Sequence, residues 1–245
     1  MTNNTMKLSI VIPVWNKSHF TKSCLKDLVQ LPDDHEIIVI DNGSTDDTQQ
    51  AIESMPRIHY HRNPENLGFA KACNIGYGLA IAPNVLFLNN DIRVRSDHTD
   101  WTAPLIEHCA THLVGPTMGQ LDAQLNFVQE ANQELSGNSY MSGWCLASSK
   151  DIFEKLRLFH SRDTMLTATY DPIANAPQIF DERYSPAYFE DTDLSFRARE
   201  LGIPFKVVSV PVVHFGKQTS VQLNVHKLYT QSRQTFLQRW KKLLP

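Results

Sequence analysis

Short apolar runs alternate with amphipathic segments over the first ninety residues, and this alternation restricts the fold more than any other feature of the chain. Residues 7–14 (KLSIVIPV), 36–41 (EIIVID) and 84–88 (NVLFL) are rich in aliphatic and β-branched residues, which predicts strands buried on both faces. Residues 18–31 and 68–82 show helical spacing. Strands separated by helices pair in parallel through right-handed crossovers, so we predict an α/β domain with a mostly parallel sheet flanked by helices.

Two more elements complete the predicted first half. Ser44 or Thr45, in the loop after the second strand, is expected to cap a helix that runs to about residue 54. Residues 57–61 predict a third, weaker strand.

The second half has less regular periodicity and predicts mixed or antiparallel pairing. Expected strands cover 112–116, 124–130 and 140–147, and residues 205–214 are expected to be extended. Expected helices cover 149–156, 191–201 and the amphipathic stretch from 221 onward. Residues 157–180 show no clear period and contain Pro172 and Pro177, which predicts a long loop. A loop of that length is typical of a lid, and we expect it to cover a substrate.

Composition and length indicate one globular domain in a reducing compartment. The chain has 245 residues, and no apolar run is long enough to span a membrane. The first five residues, MTNNT, lack the apolar core of a signal peptide. The four cysteines form no C-x-x-C pair, which argues against a zinc or redox motif. We therefore expect a cytoplasmic protein with free thiols.

Charge is distributed unevenly along the chain. Residues 1–200 contain 16 Lys and Arg against 26 Asp and Glu, whereas residues 201–245 contain seven basic residues and no acid. Such segregation indicates a tail that contacts an anionic surface: a membrane, a nucleic acid or the acidic body of the protein itself. A solvated helix face is the alternative interpretation.

Polar groups follow three of the predicted strands where each strand ends. These groups are Trp15-Asn16, the loop that starts at Asp41, and Asn89-Asn90-Asp91. Carboxyl ends of parallel strands meet at one edge of a sheet, where ligands bind. No glycine-rich phosphate loop follows any of the strands. An aromatic side chain to stack a base and carboxylates for ribose, base or cation contacts fit this edge instead.

Together these segments resemble the family 2 glycosyltransferases of the GT-A fold, particularly the non-processive, rhamnosyltransferase-like branch. The resemblance extends over roughly residues 7–240. It rests on 11–16 (VIPVWN), 39–46 (VIDNGSTD), 66–76 (NLGFAKACNIG), 88–91 (LNND), 188–194 (YFEDTDL) and His214. It implies a Rossmann-like, mostly parallel mixed sheet in a single domain.

The resemblance also implies a nucleotide-sugar site and a metal site. The residues implied for the nucleotide sugar are Pro13, Val14, Trp15, Asn16, Asp41, Asn66, Gly68, Asn74, Asn89, Asn90 and Asp91. The D-x-D motif of the family corresponds to Asn89-Asn90-Asp91, so only Asp91 supplies a carboxylate there. His214 is the second implied ligand of a divalent cation, Mn²⁺ or Mg²⁺. A carboxylate and imidazole pair favours Mn²⁺.

Three residues are implied on the acceptor side. Asp191 corresponds to the general base of the family, and Glu190 and Trp144 are expected to contact the acceptor. Acidic residues in a first helical turn also complement the helix dipole, and a Trp between apolar residues is equally often part of the core. The spacing of Asp193 and Arg197 predicts an ion pair within the helix.

The predicted activity is metal-dependent, inverting transfer of a hexose from a nucleoside-diphosphate sugar, UDP or dTDP, to a hydroxyl of a glycan or lipid-linked glycan. Residues 7–91 would bind the donor, 92–216 the acceptor, and the basic helix within 217–245 would contact the cytoplasmic face of a membrane. A catalytically silent carbohydrate-binding or anchoring module is the alternative from another class. An acceptor on protein or modified DNA also stays open.

Two related enzyme classes fit the sequence less well. Processive polysaccharide synthases carry a Q-x-x-R-W motif and membrane helices, but here Phe236 stands where the Gln of that motif would be, before Arg239-Trp240. Nucleotidyltransferases need a glycine-rich loop near the N-terminus, and residues 13–16 do not form one.

Overall fold

A computed structural model describes residues 5–95, 100–165, 178–216 and 225–240. The strands are β1 (Leu8–Val14), β2 (His35–Asp41), β3 (Ile58–Arg62), β4 (Asn84–Leu88), β5 (Ile92–Val94), β6 (Leu113–Gly115), β7 (Met118–Leu121), β8 (Phe127–Ala131), β9 (Ser139–Met141), β10 (Cys145–Ser149), β11 (Phe205–Val207) and β12 (Val212–His214). The helices are α1 (Ser18–Leu28), α2 (Thr48–Glu53), α3 (Phe69–Leu79), α4 (Ala103–His108), α5 (Lys150–Met165), α6 (Glu190–Glu200) and α7 (Val225–Trp240), with a 3₁₀ turn at Glu182–Tyr184.

The central sheet has seven strands in the order β11, β6, β10, β4, β1, β2, β3. The four strands from β4 to β3 pair in parallel, whereas β10 runs antiparallel to β4 and β6. The predicted mixed, mostly parallel sheet is thus confirmed. The register places Val14 beside Asp41, so β1 and β2 end at the same edge. We call this edge the carboxyl edge.

Helices cover both faces of the sheet. Ile10 and Ile12 of β1 pack with α1 and α4, while Val11 between them packs with α3 on the opposite face. All three side chains are fully buried. Burial on both faces explains the continuous apolar run of this strand, since each buried side chain of this size stabilises the fold by about 1.5–3 kcal/mol.

The C-terminal helix α7 packs against α6 of its own domain. Phe236 and Trp240 are buried beside Phe189 and Phe196, which confirms the predicted amphipathic helix and identifies what covers its apolar face. Arg239 contacts acidic residues of the same chain. Of the three anionic surfaces expected from the charge pattern, the described part of the tail therefore contacts the acidic body of the protein itself.

The structure corrects three predictions about local structure. The cap of α2 is neither Ser44 nor Thr45, because the helix begins at Thr48 and Asp46 accepts the Thr48 N–H at 3.1 Å. Helix α5 continues to Met165, since neither glycine nor proline interrupts the sequence before Pro172. This shortens the expected 157–180 loop, and residues 166–177 lie outside the described residues.

The third correction concerns residues 140–147, which were expected to form one strand. They form parts of two strands, β9 and β10, which belong to different sheets and are separated at residues 142–144. Among the described residues, no helix combines the length and apolar character that a membrane span requires.

Candidate active site

The three polar residues after β4 point in two directions. Asn90 is buried and donates from Nδ2 to Thr21 Oγ1 of α1 at 2.8 Å. Its neighbours lie next to His214: Nε2 of the imidazole is 3.2 Å from Asp91 Oδ1 and 3.4 Å from Asn89 Nδ2. The central amide therefore anchors the strand end to α1, while the flanking residues form part of a polar site with His214.

A two-stranded ribbon brings His214 to this position across 123 residues of sequence. β12 pairs antiparallel with β5 in a register that places His214 opposite Ile92. The Phe215 N–H also donates to the Asp91 carbonyl at 2.9 Å. The two residues implied as metal ligands are thus adjacent.

The chemistry of this pair fits a divalent cation with two protein ligands. Asp91 Oδ1 is buried and has no hydrogen-bond partner among the described residues, although it lies against the imidazole. A carboxylate oxygen beside an imidazole nitrogen is a donor set that suits Mn²⁺. The described part of the chain contains no group of three or more His, Cys, Asp or Glu that could hold a metal. Further ligands would have to come from elsewhere, such as a donor diphosphate.

Trp144 supports the imidazole from the other side. Because β10 runs antiparallel to β4, it enters the sheet at the carboxyl edge, and the Asn89 N–H donates to the Trp144 carbonyl at 2.8 Å. The indole stacks on His214 with ring centroids 4.5 Å apart and donates from Nε1 to Thr117 Oγ1 at 2.8 Å. The side chain is 9% exposed. The sequence predicts that Trp144 contacts an acceptor, and one face of its indole contacts His214.

Gly143 connects this cluster to Asp191 of α6. Its N–H donates to Asp191 Oδ2 at 2.9 Å, and the Thr192 N–H donates to Oδ1 at 2.6 Å. A Cβ atom at Gly143 would lie 2.9 Å from the Asp191 Cβ, closer than real Cβ contacts allow. Glycine at this position thus lets the carboxylate approach the backbone of residues 142–144. Burial raises the pKa of Asp191.

Glu190 lies beside Asp191 in a similar environment. Its Oε2 is buried and has no hydrogen-bond partner among the described residues. Burial and the neighbouring Asp191 carboxylate raise the pKa of Glu190 to about 8. Two adjacent carboxylates do not both ionise readily, and the pKa of each is raised above its usual range.

The turn before this pair has a strained backbone. Tyr188 and Phe189 adopt φ angles of 79° and 69°, a left-handed conformation that aromatic residues rarely adopt. Packing holds the turn in place, because the Phe189 ring lies 5.2 Å from Tyr229 and 5.1 Å from Phe236 of α7. Helix α7 therefore stabilises the approach to Glu190 and Asp191.

Asp193 has a structural environment, and its predicted ion pair with Arg197 is confirmed. The side chain is fully buried, and Oδ2 accepts from Arg197 Nε at 2.9 Å. Trp240 Nε1 donates to Oδ1 at 2.9 Å, and Arg239 contacts the same carboxylate at 3.1 Å. This network fastens α7 to α6.

On the donor side, the loops after β1 and β2 are tied together. The Asn16 N–H donates to Ser44 Oγ at 2.8 Å, and Asn16 Oδ1 accepts from the Thr45 N–H at 2.8 Å. Trp15 lies between these contacts and β1 and is partly buried, whereas Val14 is buried in the core. Pro13, the residue before Val14, is partly buried and pairs in register with Ile40.

Asp41 at the end of β2 is enclosed by three donors. The Ser44 N–H donates to Oδ1 at 2.8 Å, and Oδ2 accepts from Tyr60 Oη at 2.7 Å and from Arg62 Nη1 at 2.6 Å. The carboxylate has no exposed surface. Burial and the bond to Asp41 raise the pKa of Tyr60 to about 12, which keeps the phenol protonated as a donor.

The motif residues of segment 66–74 separate into two environments. Asn66 Oδ1 accepts the Gly68 N–H at 2.9 Å, a turn at the start of α3, and Gly68 has a φ of 86°. Asn74 is buried, and its amide contacts the backbone of Ile179 and Phe180 at 2.9–3.0 Å. In this structure Asn74 joins α3 to the segment before Glu182, so its expected contact with the nucleotide stays a prediction.

Several site residues were not predicted from the sequence. Tyr60 and Arg62 enclose Asp41, and Thr117 accepts from Trp144. Of these residues, the sequence could have indicated only Arg62, because the third parallel strand also has a polar residue at its carboxyl end. The weak pattern of β3 predicts a strand at 57–61, whereas the strand covers Ile58–Arg62 and so includes Arg62.

The chain is similar to known glycosyltransferases in part of its sequence and in its fold. Residues 9–124 match the family model described as "Glycosyl transferase family 2". An uncharacterised glycosyltransferase of Rickettsia conorii is 30% identical over 141 residues, which are 56% of this chain and 20% of that protein. Chondroitin synthase of Escherichia coli is 28% identical over 231 residues, which are 90% of this chain and 31% of the synthase. Only a fifth to a third of these curated relatives is therefore spanned.

Two solved structures share the fold. Mannosyltransferase PcManGT from Pyrobaculum calidifontis, in complex with GDP-Man and Mn²⁺, has a TM-score of 0.55 at 14% identity, covering 83% of this chain and 55% of that chain. S. aureus TarS 1-349 has a TM-score of 0.54 at 15% identity, covering 89% and 63%. The fold is thus of the GT-A type. Residues 9–124 of our chain are thus similar to the family 2 glycosyltransferases.

Proposed function

We propose that the chain is an inverting glycosyltransferase that moves a hexose from a nucleoside-diphosphate sugar to an acceptor hydroxyl. The observation that carries this proposal is one continuous arrangement at the carboxyl edge. Asp91 contacts His214, His214 stacks on Trp144, and the adjacent Gly143 binds Asp191. Residues 143–144 thus link the proposed diphosphate site, at Asp91 and His214, to the proposed base, Asp191.

On the donor side, Asp91 and His214 would hold a divalent cation, Mn²⁺ in preference to Mg²⁺. The bound ion would supply Lewis-acid stabilisation of the negative charge on the departing diphosphate. Trp144 fixes the plane of the imidazole, and Asn89 lies beside Nε2. The PcManGT structure, solved with GDP-Man and Mn²⁺, supports this proposal at the level of the fold.

On the acceptor side, Asp191 would act as general base. Its raised pKa makes the carboxylate a better proton acceptor, and burial also raises the pKa of the adjacent Glu190. The acceptor oxygen forms a bond to the anomeric carbon as its proton passes to Asp191. The bond from that carbon to the diphosphate breaks, and the electron pair leaves with the diphosphate. Displacement from the opposite face inverts the anomeric configuration.

The domain assignment follows from the same proposal. Residues 7–91 would bind the donor, and residues 92–216 would supply His214, Trp144 and the acceptor groups. A glycan or lipid-linked glycan stays the expected acceptor. The described part of the basic tail gives no support to a membrane contact, because Phe236 and Trp240 are buried and Arg239 binds acids of its own chain.

Thermal unfolding tests the donor side directly. The protein is heated with UDP, dTDP, GDP, CDP or ADP, each with and without Mn²⁺. A ligand at 100 times its dissociation constant stabilises the fold by about 2.7 kcal/mol, which is a readily measured shift in Tm. We expect a shift with some of the nucleotides only when Mn²⁺ is present, and loss of the Mn²⁺ dependence in Asp91→Ala.

Asp191→Asn separates catalysis from binding. The amide keeps an oxygen that can accept the Gly143 N–H but cannot accept a proton from the acceptor. We expect nucleotide binding to persist while nucleotide-sugar turnover is lost. If no nucleotide shifts the Tm of the wild-type protein, the transferase proposal is wrong and a silent carbohydrate-binding module becomes the better description.

A further inference from the structure

The carboxylate of Asp41, one of the residues implied for the nucleotide sugar, cannot be reached by a ligand in the structure as it stands. Asp41 has no exposed surface, and its two oxygens accept three hydrogen bonds, from Ser44, Tyr60 and Arg62. A nucleobase could bind this carboxylate directly only if Tyr60 or Arg62 moved away. Either movement would break a short bond and leave a buried charge with fewer donors, which is costly.

The group that faces outward at this position is the guanidinium of Arg62. The side chain is 36% exposed, and Arg62 is the last residue of β3, in register with Asp41. Nη1 donates to Asp41 Oδ2 at 2.6 Å and Nη2 to the Ser44 carbonyl at 2.7 Å. Two bonds from different nitrogens fix the plane of the group. Because a guanidinium has five N–H donors, it retains donors for a ligand.

The position of Arg62 in the sheet is where we expect the base of a bound nucleotide. The order β4, β1, β2, β3 places the end of β3 three strand spacings, roughly 14 Å, from the end of β4. Asp91 and His214 follow β4 and the ribbon beside it, where the diphosphate is expected. Base and diphosphate are opposite ends of a nucleoside diphosphate. With its phosphates near Asp91, a bound nucleotide would extend its base along the edge past Trp15 toward Arg62.

We propose that Arg62 is a specificity-determining residue that selects nucleobases with a carbonyl group at C4 of a pyrimidine or C6 of a purine, as in uracil, thymine or guanine, over bases with an amino group at that position, as in cytosine or adenine. The inference rests on the proposed function. A guanidinium only donates hydrogen bonds, so it favours a carbonyl acceptor and disfavours an amino donor at the same place. Asp41 then acts as a positioning residue that holds the guanidinium.

Two matched pairs of ligands test this inference. UDP and CDP differ at C4 of the pyrimidine, which has a carbonyl in UDP and an amino group in CDP. GDP and ADP differ in the same way at C6 of the purine. Isothermal titration calorimetry with Mn²⁺ measures the dissociation constant of each nucleotide. In one of the two pairs, we expect the wild-type protein to bind the nucleotide with the carbonyl about 10–100-fold more tightly than its counterpart with the amino group. This is the range for a hydrogen bond to a charged group.

Arg62→Met removes the donors and should reduce this ratio to about threefold or less while some binding persists. Arg57→Met is the matched control. Arg57 also donates to backbone carbonyls, but it precedes β3 at the opposite end of that strand. The control variant should keep the wild-type ratio. If Arg62→Met fails to fold, Arg62→Lys retains the charge next to Asp41, loses the planar pair of donors, and should also lower the ratio.

The possible results distinguish this inference from the proposed function. If nucleotides bind but the wild-type protein does not discriminate between the bases, or if the Arg62 variants keep the wild-type ratio, Arg62 is not the selecting residue and the transferase proposal stands. If no nucleotide binds the wild-type protein, the proposed function and this inference both fail.

Discussion

The indole of Trp144 lies stacked on the imidazole of His214, with ring planes inclined by 10° and centroids 4.5 Å apart. The bond from Trp144 Nε1 to Thr117 Oγ1 fixes the indole, and Thr117 in turn donates to Glu130 at 2.9 Å. A chain of contacts from β8 to the ribbon that carries His214 therefore orients the imidazole. Side chains that orient a metal ligand commonly influence affinity as strongly as some ligands do.

We predict that Trp144→Phe weakens Mn²⁺ binding about 10–100-fold, the range for loss of a residue that orients a ligand. Phenylalanine retains an aromatic face but cannot donate to Thr117, so the ring and the imidazole lose their fixed orientation. The measurement is a Mn²⁺ titration of the Tm at a saturating concentration of the best nucleotide.

Trp101→Phe is the control for this prediction. Trp101 is buried in the same core cluster, and its Nε1 has no hydrogen-bond partner among the described residues. This substitution therefore changes packing without removing a hydrogen bond. Equal losses of Mn²⁺ affinity in the two variants would show that Trp144 acts through general stability and not through His214.

A second prediction concerns Gly143→Ala. The new Cβ would lie 2.9 Å from the Asp191 Cβ and 3.2 Å from Oδ2, so the carboxylate must move. Displacement of a catalytic group by about 1 Å can lower the rate about 100-fold. We expect kcat for sugar transfer to fall by about this factor, while the dissociation constant of the nucleotide stays within about twofold.

Gly78→Ala is the matched control, because a Cβ at Gly78 meets nothing within 4 Å and the residue lies within α3. Alanine there should stabilise the helix by about 0.5–1 kcal/mol without a change in kcat. An unchanged kcat in Gly143→Ala would mean that Asp191 is not the base or that its position is not critical.

The sequence predicted the donor half of the fold well, because the periodicity of β1, β2 and β4 is a local signal. Parallel pairing then placed Asp41 and Asp91 at one edge without further information. The contact between Arg62 and Asp41 could not be predicted in this way, because it depends on where the weak strand β3 ends. The side chains of β3 are mostly exposed, and the register of a strand is weakly specified where its hydrophobic pattern is weak.

The roles of Ser44 and residues 142–144 also depend on contacts with residues distant in the sequence, which local patterns do not predict. Ser44 is a good helix-capping residue in isolation, but in the folded chain its hydroxyl accepts the Asn16 N–H, a contact across 28 residues. Nothing local distinguishes Gly143 from an ordinary strand glycine. Its function depends on Asp191, 48 residues later, which approaches only after α6 has packed on the sheet.

Trp240→Phe tests the attachment of α7 to α6. The substitution removes the indole N–H that donates to the buried Asp193, so a buried carboxylate oxygen loses a donor. We expect the free energy of unfolding, measured in urea, to fall by about 1–3 kcal/mol. Gln238→Ala, at an exposed position of the same helix, should change it by less than about 0.5 kcal/mol. Similar values for the two variants would refute a stabilising network at Asp193.

The proton on Glu190 predicts how stability depends on pH. Its pKa is raised to about 8 in the folded protein, whereas an unfolded glutamate has a pKa near 4.5, so the folded state binds the additional proton. The contribution of Glu190 to the free energy of unfolding should therefore be largest below about pH 4.5. This contribution should decrease as the pH rises toward 8.

Glu190→Gln mimics the protonated side chain at every pH and should remove this dependence. Urea unfolding at pH 5, 6, 7 and 8 measures the difference between the two proteins. We expect the variant to gain stability relative to the wild type as the pH rises, by about 1–3 kcal/mol between pH 5 and 8. Parallel curves would mean that Glu190 is ionised in the folded state. Asp191 would then have a charged neighbour, and the assignment of the proton to Glu190 would be wrong.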